Sequence, residues 1–298
     1  MMRVRREGAW VRKALTDAVS ARSGFWLARR SRLLAARGVR TPVACYDAPA
    51  REIVSPWIAG TSGPNILRRE GRDAAGGGPA IEGFLAACLL PLVHLHGVDP
   101  AGLELAPLDP WRRIGPRLLA LHADKAREEA GAIYRAALRA RRSIKRRFVE
   151  IAERAALAEQ VVAHGDYHVG QLLFASPMDE PWLLDLDDLA LAPRESDLGN
   201  FAAHLATVEE RAVDTFDAFC ALASLVCRLY ESLVGHEVDR DMVGAYGAIA
   251  LVRRSLKLHE RGARTGIVID LLSAAERVSQ RLCVGWRGAP AFLASGDH

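Results

Sequence analysis

The sequence predicts an α+β fold in which a small strand-rich unit precedes a large, mainly helical one. Three observations carry that expectation. The first sixty residues alternate short apolar runs with turn residues and hold one amphipathic stretch; a glycine-rich segment follows at 60–80; from Ile81 onward the chain is mainly helical, apart from a short strand-loop-strand cluster near 161–186. A chain of 298 residues can bury a sizeable core as one large domain or two lobes.

Residues 2–6 and 9–15 read as two strands joined across Glu7-Gly8. An amphipathic helix is predicted over 20–37, with Phe25, Leu27, Leu33 and Leu34 as its apolar positions and Gly38 as its stop. Residues 42–46 and 53–57 read as two more strands. The segment 60–80 ends in Gly76-Gly77-Gly78-Pro79; it neither follows a strand nor has G-x-G-x-x-G spacing, so it reads as a linker rather than a phosphate cradle. Within the helical region that runs to about Gln160, residues 135–147 carry seven basic side chains. They surround a helix that also bears Leu138, Ile144 and Phe148, which fits a solvated face better than a nucleic-acid surface. Short strands are predicted at 161–163, 172–174 and 182–186, with helices from Pro193 almost to the end.

Half of the residues are hydrophobic, 26% are charged and mean hydropathy is near zero, which excludes disordered, collagenous and membrane-bundle classes. The net charge of +4, from 40 basic and 36 acidic residues, is too small to imply a nucleic-acid partner. Only four basic residues are lysines (Lys13, Lys125, Lys145 and Lys257), so any chemistry that requires a lysine has few candidates. The five cysteines, Cys45, Cys88, Cys220, Cys227 and Cys283, lie far apart with no C-x-x-C pair and read as reduced core thiols. The arginine-rich N-terminus lacks the apolar region of a secretion signal, and the longest apolar run, 84–93, contains Pro91 and is about half the length that crosses a bilayer. A cytoplasmic protein with no membrane contact is expected, and nothing specifies an oligomeric state.

The chemistry concentrates in His164-Gly165-Asp166-Tyr167-His168-Val169-Gly170-Gln171 and in Leu183-Leu184-Asp185-Leu186-Asp187-Asp188. One carboxylate lies on a loop, an amide follows five positions later, and a second carboxylate ends the next strand pair. Metal-assisted phosphoryl transfer needs such a set: a base that orients an acceptor hydroxyl, and oxygen ligands that hold Mg²⁺ against phosphates. Three carboxylates within four residues repel one another unless a cation sits among them. Asp185 is the leading metal ligand, Asp187 is either a second ligand or solvated, and Asp188 reads as structural. His164 reads as a packed, hydrogen-bonded loop anchor. His94, His96, His122, His204, His236 and His259 share no metal-site pattern and read as ordinary residues.

These stretches resemble the aminoglycoside phosphotransferase/choline kinase-like superfamily, small-molecule kinases with the protein-kinase fold. The family pattern is H-G-D-x-H-x-x-N, then a hydrophobic strand ending in Asp, then another Asp about a dozen residues on. A chance H-G-D-x-H in a chain this long has a probability on the order of one in a thousand. The resemblance implies a protein-kinase-like bilobal fold, with a short, truncated N-lobe sheet at 1–60, a hinge at 54–60 and a mainly helical C-lobe at 61–298. It implies a catalytic loop at 164–171 and a metal-binding segment at 183–188. Asp166 would be the catalytic Asp, with His168 beside the transferring group; Gln171, Asp185 and Asp187 would hold Mg²⁺, and Asp197 would buttress the loop. Trp10-Val11-Arg12-Lys13-Ala14-Leu15 resembles the strand that presents the ATP-contacting lysine, a role for a compact ammonium that arginine fills poorly. Val54-Ser55-Pro56-Trp57-Ile58-Ala59-Gly60 resembles the hinge, implying nucleotide contacts from Ser55 and Trp57. Looser resemblances are Gly38-Val39-Arg40-Thr41-Pro42, to the turn after the N-lobe helix, and Leu95-His96-Gly97-Val98-Asp99, to a helix end. The implied reaction moves the γ-phosphate of ATP, with Mg²⁺, to a hydroxyl of a small molecule such as an aminoglycoside, aminosugar, sugar or amino alcohol.

The sequence departs from the family pattern in three places. Gln171 stands where the family has Asn, as in the maltokinase-like sugar-kinase branches. Only twelve residues precede Lys13, so the first strand and the glycine-rich phosphate loop either lie upstream of the given start or are missing. The helix at 20–37 holds no Glu to pair with Lys13; Asp17 lies too early, which leaves Glu52 or Glu7. These departures keep a second reading open, a catalytically degenerate kinase fold that binds nucleotide or a partner. For the acceptor, eight acidic against three basic residues between Leu205 and Asp241 give either an acidic cleft suited to a cation or, more simply, a solvated helix face, while Gln171 points to a neutral sugar.

Overall fold

Residues 4–15, 21–73, 79–207 and 215–280 are described by the computed structural model. The expected start of the first strand at Met2, the start of the first helix at Ser20, Asp17, the glycine cluster at 76–78 and Cys283 lie outside them.

Strands β1 (Val4–Glu7) and β2 (Trp10–Ala14) form the expected hairpin, with Gly8 at φ +59° in the turn. Helix α1 (Ala21–Ala36) follows, then β3 (Cys45–Asp47) and β4 (Glu52–Pro56), which complete an antiparallel sheet in the order β1-β2-β4-β3. Successive residues of a strand face opposite sides of the sheet. Arg12 therefore turns to Glu7, Asp47 and Glu52 at 2.6–3.1 Å, while Lys13 turns the other way, toward the helical part of the chain.

Three expectations for this region are corrected. Phe25 is exposed, because the side of α1 packed on the sheet is built from Gly24, Ala28, Ser31 and Leu34. A Cβ at Gly24 would come within 2.5 Å of the Tyr46 ring, which leaves no room for a large residue there. The strand predicted at 42–46 forms only from Cys45, and Cys45 is exposed rather than a core thiol, because β3 is a short edge strand. Buried Cys88 and Cys227 fit the expectation, and the described cysteines are free thiols.

The segment read as a linker is the third correction. It contains β5 (Thr61–Ser62) and α2 (Gly63–Asp73). Pro64 sits in the first turn, where a missing N–H costs nothing, and Ile66 is buried. Two adjacent apolar residues, Ile66 and Leu67, are too few to reveal a helical period, and neighbouring elements supply the rest of the packing.

The core lies among the helices. Helix α3 (Pro79–His96) buries Phe84, Cys88, Leu89, Leu92 and Leu95, with Pro91 inside it. Then come α4 (Gly115–Ala123), α5 (Glu128–Glu150) and α6 (Ala152–Leu157). Arg135, Arg139, Arg142, Lys145 and Arg146 of α5 are exposed as expected; Arg147 instead is buried and pairs with Asp241 (2.6 Å) and Glu150 (3.0 Å). Strand β6 (Gln160–Ala163) pairs with β9 (Ala190–Pro193), and β7 (Leu172–Phe174) joins β5 to β8 (Trp182–Leu183). Helices α7 (Glu195–Leu205), α8 (Thr215–Val234), α9 (Arg240–Glu260) and α10 (Thr265–Gln280) complete the described chain. Helix α7 is buried almost throughout, packed against α8 and α9, so its polar residues must find partners inside the protein. No helix among the described residues is long and apolar enough to cross a membrane.

Candidate functional site

Strand β6 delivers the chain into a loop held from beneath by α7. Asp197 is fully buried and accepts from the backbone N–H of His164 (2.7 Å) and of Gly165 (2.9 Å), and from His96 Nε2 at 3.2 Å. One turn later, Asn200 donates to the carbonyl of Tyr167 at 2.6 Å. Gly165 has φ +76°, and a Cβ there would collide with the Asp188 carbonyl, so glycine alone fits. His164 is the packed anchor expected from the sequence: it is fully buried, and Nε2 is 3.0 Å from the carbonyl of Leu184. The Leu184 N–H donates to the carbonyl of Gln171 at 2.9 Å, so both ends of the loop are tied to the residue before Asp185.

Asp166 emerges from this support with both carboxylate oxygens engaged. Arg253 Nη2, from α9, donates to Oδ1 at 2.5 Å, and Arg113 Nη1 donates to Oδ2 at 2.8 Å. Arg253 also donates to Asn200, and Arg113 to Asp188. Burial raises the Asp166 pKa, but Arg253, His168, Arg113 and His204 outweigh it and hold the carboxyl far below the usual carboxylate range. His168 Nδ1 accepts from the Gly170 N–H at 3.0 Å, which leaves the proton of a neutral ring on Nε2. The His168 ring stacks on His204, with centroids 4.3 Å apart and planes 8° apart. Burial, opposed by Asp166, pushes His168 down to about 4, and burial pushes His204 well below its ordinary value.

On the other side of the loop, β8 ends and Asp185 adopts φ +58°, a left-handed conformation that aspartate tolerates better than most residues. Lys13 Nζ lies 2.5 Å from Asp185 Oδ1 and 2.6 Å from Asp187 Oδ2. Burial lowers the Lys13 pKa, but Asp187 and Asp185 more than reverse it and the net shift is upward. Gln171 Nε2 donates to Asp185 Oδ2 at 3.1 Å. One cation thus sits among two carboxylates beside an amide, all hard-oxygen groups of the kind that suit a divalent metal. Asp188 is engaged by Arg113, in keeping with its structural reading. Neither Glu52 nor Glu7 serves Lys13: both belong to Arg12 on the opposite sheet face. The register pairs Lys13 with Ile53 and Val11 with Ser55, so Ser55 shares the face of Lys13. Trp57 is exposed at the end of β4 beneath the Arg6 guanidinium, 4.3 Å from its ring centroid.

Comparison with known proteins matches residues 6–233 to a family described as the phosphotransferase enzyme family. The chain belongs to the phosphotransferase enzyme family. Solved structures agree on the fold. A choline/ethanolamine kinase family protein from Mesorhizobium loti is 16% identical, with TM-score 0.57 over 94% of this chain and 85% of that one. Aminoglycoside 2'-phosphotransferase-IIIa, in its GDP complex, is 14% identical, with TM-score 0.55 over 92% of this chain and 87% of that one. An aminoglycoside phosphotransferase from Streptomyces rimosus, in complex with ADP and streptomycin, is 16% identical, with TM-score 0.52 over 81% of this chain and 86% of that one. No curated protein matches the sequence. The protein-kinase-like bilobal α+β fold expected from the sequence is therefore the fold of this phosphotransferase.

Sequence reasoning missed Arg113, Arg253, Asn200 and the part played by His204. Asn200 was legible in principle, since it lies three residues after Asp197 and so shares its helix face. The two arginines were hidden among 34 others of their kind, with no local spacing to mark them. His204, read as ordinary, forms the platform under His168. Asp166, His168 and His204 place one potential ligand atom each within 4.8 Å, but parallel stacked rings direct their lone pairs side by side rather than toward one point.

Two partly buried, neutral histidines give this phosphotransferase an acid-sensitive site. In the folded state they bind fewer protons than in the unfolded chain, so stability is full above the unfolded pKa of about 6.5 and is lost as pH falls from there toward 4. At pH 5 the His168 shift alone corresponds to roughly 2 kcal/mol. The melting temperature is expected to fall between pH 7 and pH 5, and to fall less in His168→Asn. An equal acid loss in both proteins would show that His168 is not its source.

Proposed function

We propose that this phosphotransferase moves the γ-phosphate of ATP to a hydroxyl of a small molecule, with Mg²⁺. The observation that carries the reading is the Lys13 ammonium held by Asp185 and Asp187 beside a loop that presents Asp166. The acidic pair already accepts a cation there, which supports a metal site formed by Asp185, Asp187 and the amide of Gln171. The Gln171 nitrogen faces Asp185, so its oxygen becomes a ligand once the amide turns over. When bound, Mg²⁺ neutralises phosphate charge that builds up during transfer.

The remaining work falls to side chains. Lys13 steadies the α- and β-phosphates, and Ser55 and Trp57 lie toward the nucleotide base. Asp166 accepts a hydrogen bond from the acceptor hydroxyl and aims its oxygen at the γ-phosphorus. As the new P–O bond forms, the bond to the β,γ-bridging oxygen breaks, ADP departs with that electron pair, and the hydroxyl proton passes to Asp166. Because the arginines hold Asp166 ionised, its contribution is orientation first and proton acceptance late in the step, which suits a loose transition state. His168 offers its Nε2–H to the transferring oxygens. Positioning and charge complementarity supply most of the acceleration.

Mg²⁺·ATP at a hundredfold excess over its Kd is expected to raise the melting temperature of the wild type by about 5–10 °C, from roughly 2.7 kcal/mol of linkage. Asp185→Asn should lose most of that shift, and Lys13→Met should raise KM for ATP at least about tenfold. No shift in the wild type would sink the kinase reading. A shift without ATP consumption across a panel of hydroxyl compounds would assign the protein to nucleotide binding without turnover.

A further inference from the structure

We propose that the acceptor is an anion: a small hydroxyl compound that carries a phosphate or carboxylate group, bound in a basic cavity beside Asp166. This inference rests on the phosphotransferase reading above and specifies its acceptor.

A cavity of about 400 Å³ opens beside Asp166 between the start of α4 and the C-terminal half of α9. Its lining includes Asp166 but none of Lys13, Gln171, Asp185 or Asp187, so it lies on the acceptor side of the loop, away from the proposed phosphate and metal groups. Six cations line it: Arg112, Arg113, Arg117, Arg253, Arg254 and Lys257. Two carboxylates share the lining, Asp166 and Glu260, a third, Asp188, pairs with Arg112 and Arg113 from beside it, and His204 is held neutral by burial. Among the described residues, no acid of the 205–241 segment lines this cavity. Glu231 pairs with Arg240, and Asp239 and Asp241 pair with Arg154.

The cations are not all satisfied within the protein. Arg113 and Arg253 share Asp166, and Arg117 pairs with Glu260. Lys257 makes no hydrogen bond or ion pair among the described residues. Partial burial, reinforced by Arg261, Arg113 and Arg253 against the opposing pull of Asp166, pushes its pKa below the ordinary lysine value. An ammonium kept in a field of like charge is relieved when an anion arrives.

The same arginines link anion binding to the chemistry. In this structure each Asp166 oxygen is taken by a guanidinium. A phosphate or carboxylate that draws Arg113 or Arg253 toward itself frees an Asp166 oxygen for the hydroxyl of the same molecule. A cationic acceptor has no such exchange to offer and must enter past six like charges. The transfer itself is the one written above: the acceptor hydroxyl bonds to the γ-phosphorus, ADP leaves, and the proton goes to Asp166.

The test is ATP consumption by the full-length protein with glucose 6-phosphate, gluconate, glycerate, glucose, kanamycin and choline, alongside calorimetric titration of each without nucleotide. The first two arms separate a phosphate from a carboxylate as the anion recognised. At least one anion should bind and be phosphorylated with kcat/KM tenfold or more above glucose, kanamycin and choline. Lys257→Glu should raise KM for that anion at least tenfold while KM for ATP stays within about twofold, and Lys257→Arg should restore most of the loss. Preference for kanamycin, choline or glucose would overturn the inference and leave the kinase reading standing. A rise in KM for ATP instead of the acceptor would overturn it by assigning the cavity to the nucleotide. Absence of calorimetric binding by every anion overturns it as well, and absence of a Mg²⁺·ATP thermal shift is the separate failure of the kinase reading.

Discussion

Asp166→Asn is expected to lower kcat by about 10²–10⁴-fold while the Mg²⁺·ATP thermal shift survives. The amide keeps the shape of the side chain but cannot accept the hydroxyl proton, and it no longer balances Arg253 and Arg113. The arginines then draw the acceptor into positions that a neutral amide cannot correct, so orientation and proton acceptance are lost together. In the proposed reading nucleotide binding rests on Lys13 and the Asp185 segment, which Asp166 does not touch in the described hydrogen bonds. A variant with kcat within threefold of wild type would remove Asp166 from the chemistry. Loss of the thermal shift together with activity would instead show that Asp166 supports the fold of the site, and Asp166→Glu would then separate charge from geometry: it keeps the charge and displaces it by one methylene.

The second large effect is expected at a residue that touches no substrate. Asp197→Ala removes the acceptor for two buried backbone N–H groups, those of His164 and Gly165, and for His96 Nε2. A buried donor left unsatisfied costs about 1–3 kcal/mol, so three of them cost at least about 3 kcal/mol. The melting temperature should fall by at least about 6 °C. Asp197→Asn keeps one carbonyl oxygen in place and should lose about half as much. Both variants should also raise KM for the acceptor, because Gly165 and Asp166 move once the loop is no longer anchored to α7. An unchanged melting temperature in Asp197→Ala would show that water or another group satisfies the loop, contrary to the full burial of Asp197.

Much of this site is legible in the sequence because its parts are local. His164 to Gln171 form one loop, and Asp185 to Asp188 lie at the end of the strand pair that follows. The glycine of the motif has a steric reason visible only in three dimensions, the approach of the Asp188 carbonyl, yet its presence between His and Asp marked the loop. Lys13 stood out because a chain with 40 basic residues uses lysine only four times. The segment at 60–80 failed for the opposite reason: α2 has too few apolar residues to display a period, and packing rather than propensity decides that it is a helix. The missing N-lobe Glu also reads differently with the structure in hand, since the orientation of Lys13 comes from Asp185 and Asp187 across the cleft.

The sequence by itself determined the α+β class, the kinase-like motif and the chemistry that its carboxylates, amide and lysine can perform. Only the tertiary structure decided the charge of the space beside Asp166. Arg113 lies 53 residues before Asp166 and Arg253 lies 87 after it. Helical and strand periodicities report neighbours two to four residues away, whereas Coulomb interaction depends on distance in space. A count of charges along the chain left an acidic acceptor cleft and a solvated helix face both open; in the fold Glu231, Asp239 and Asp241 pair with arginines, and α4 and α9 come together as a basic wall.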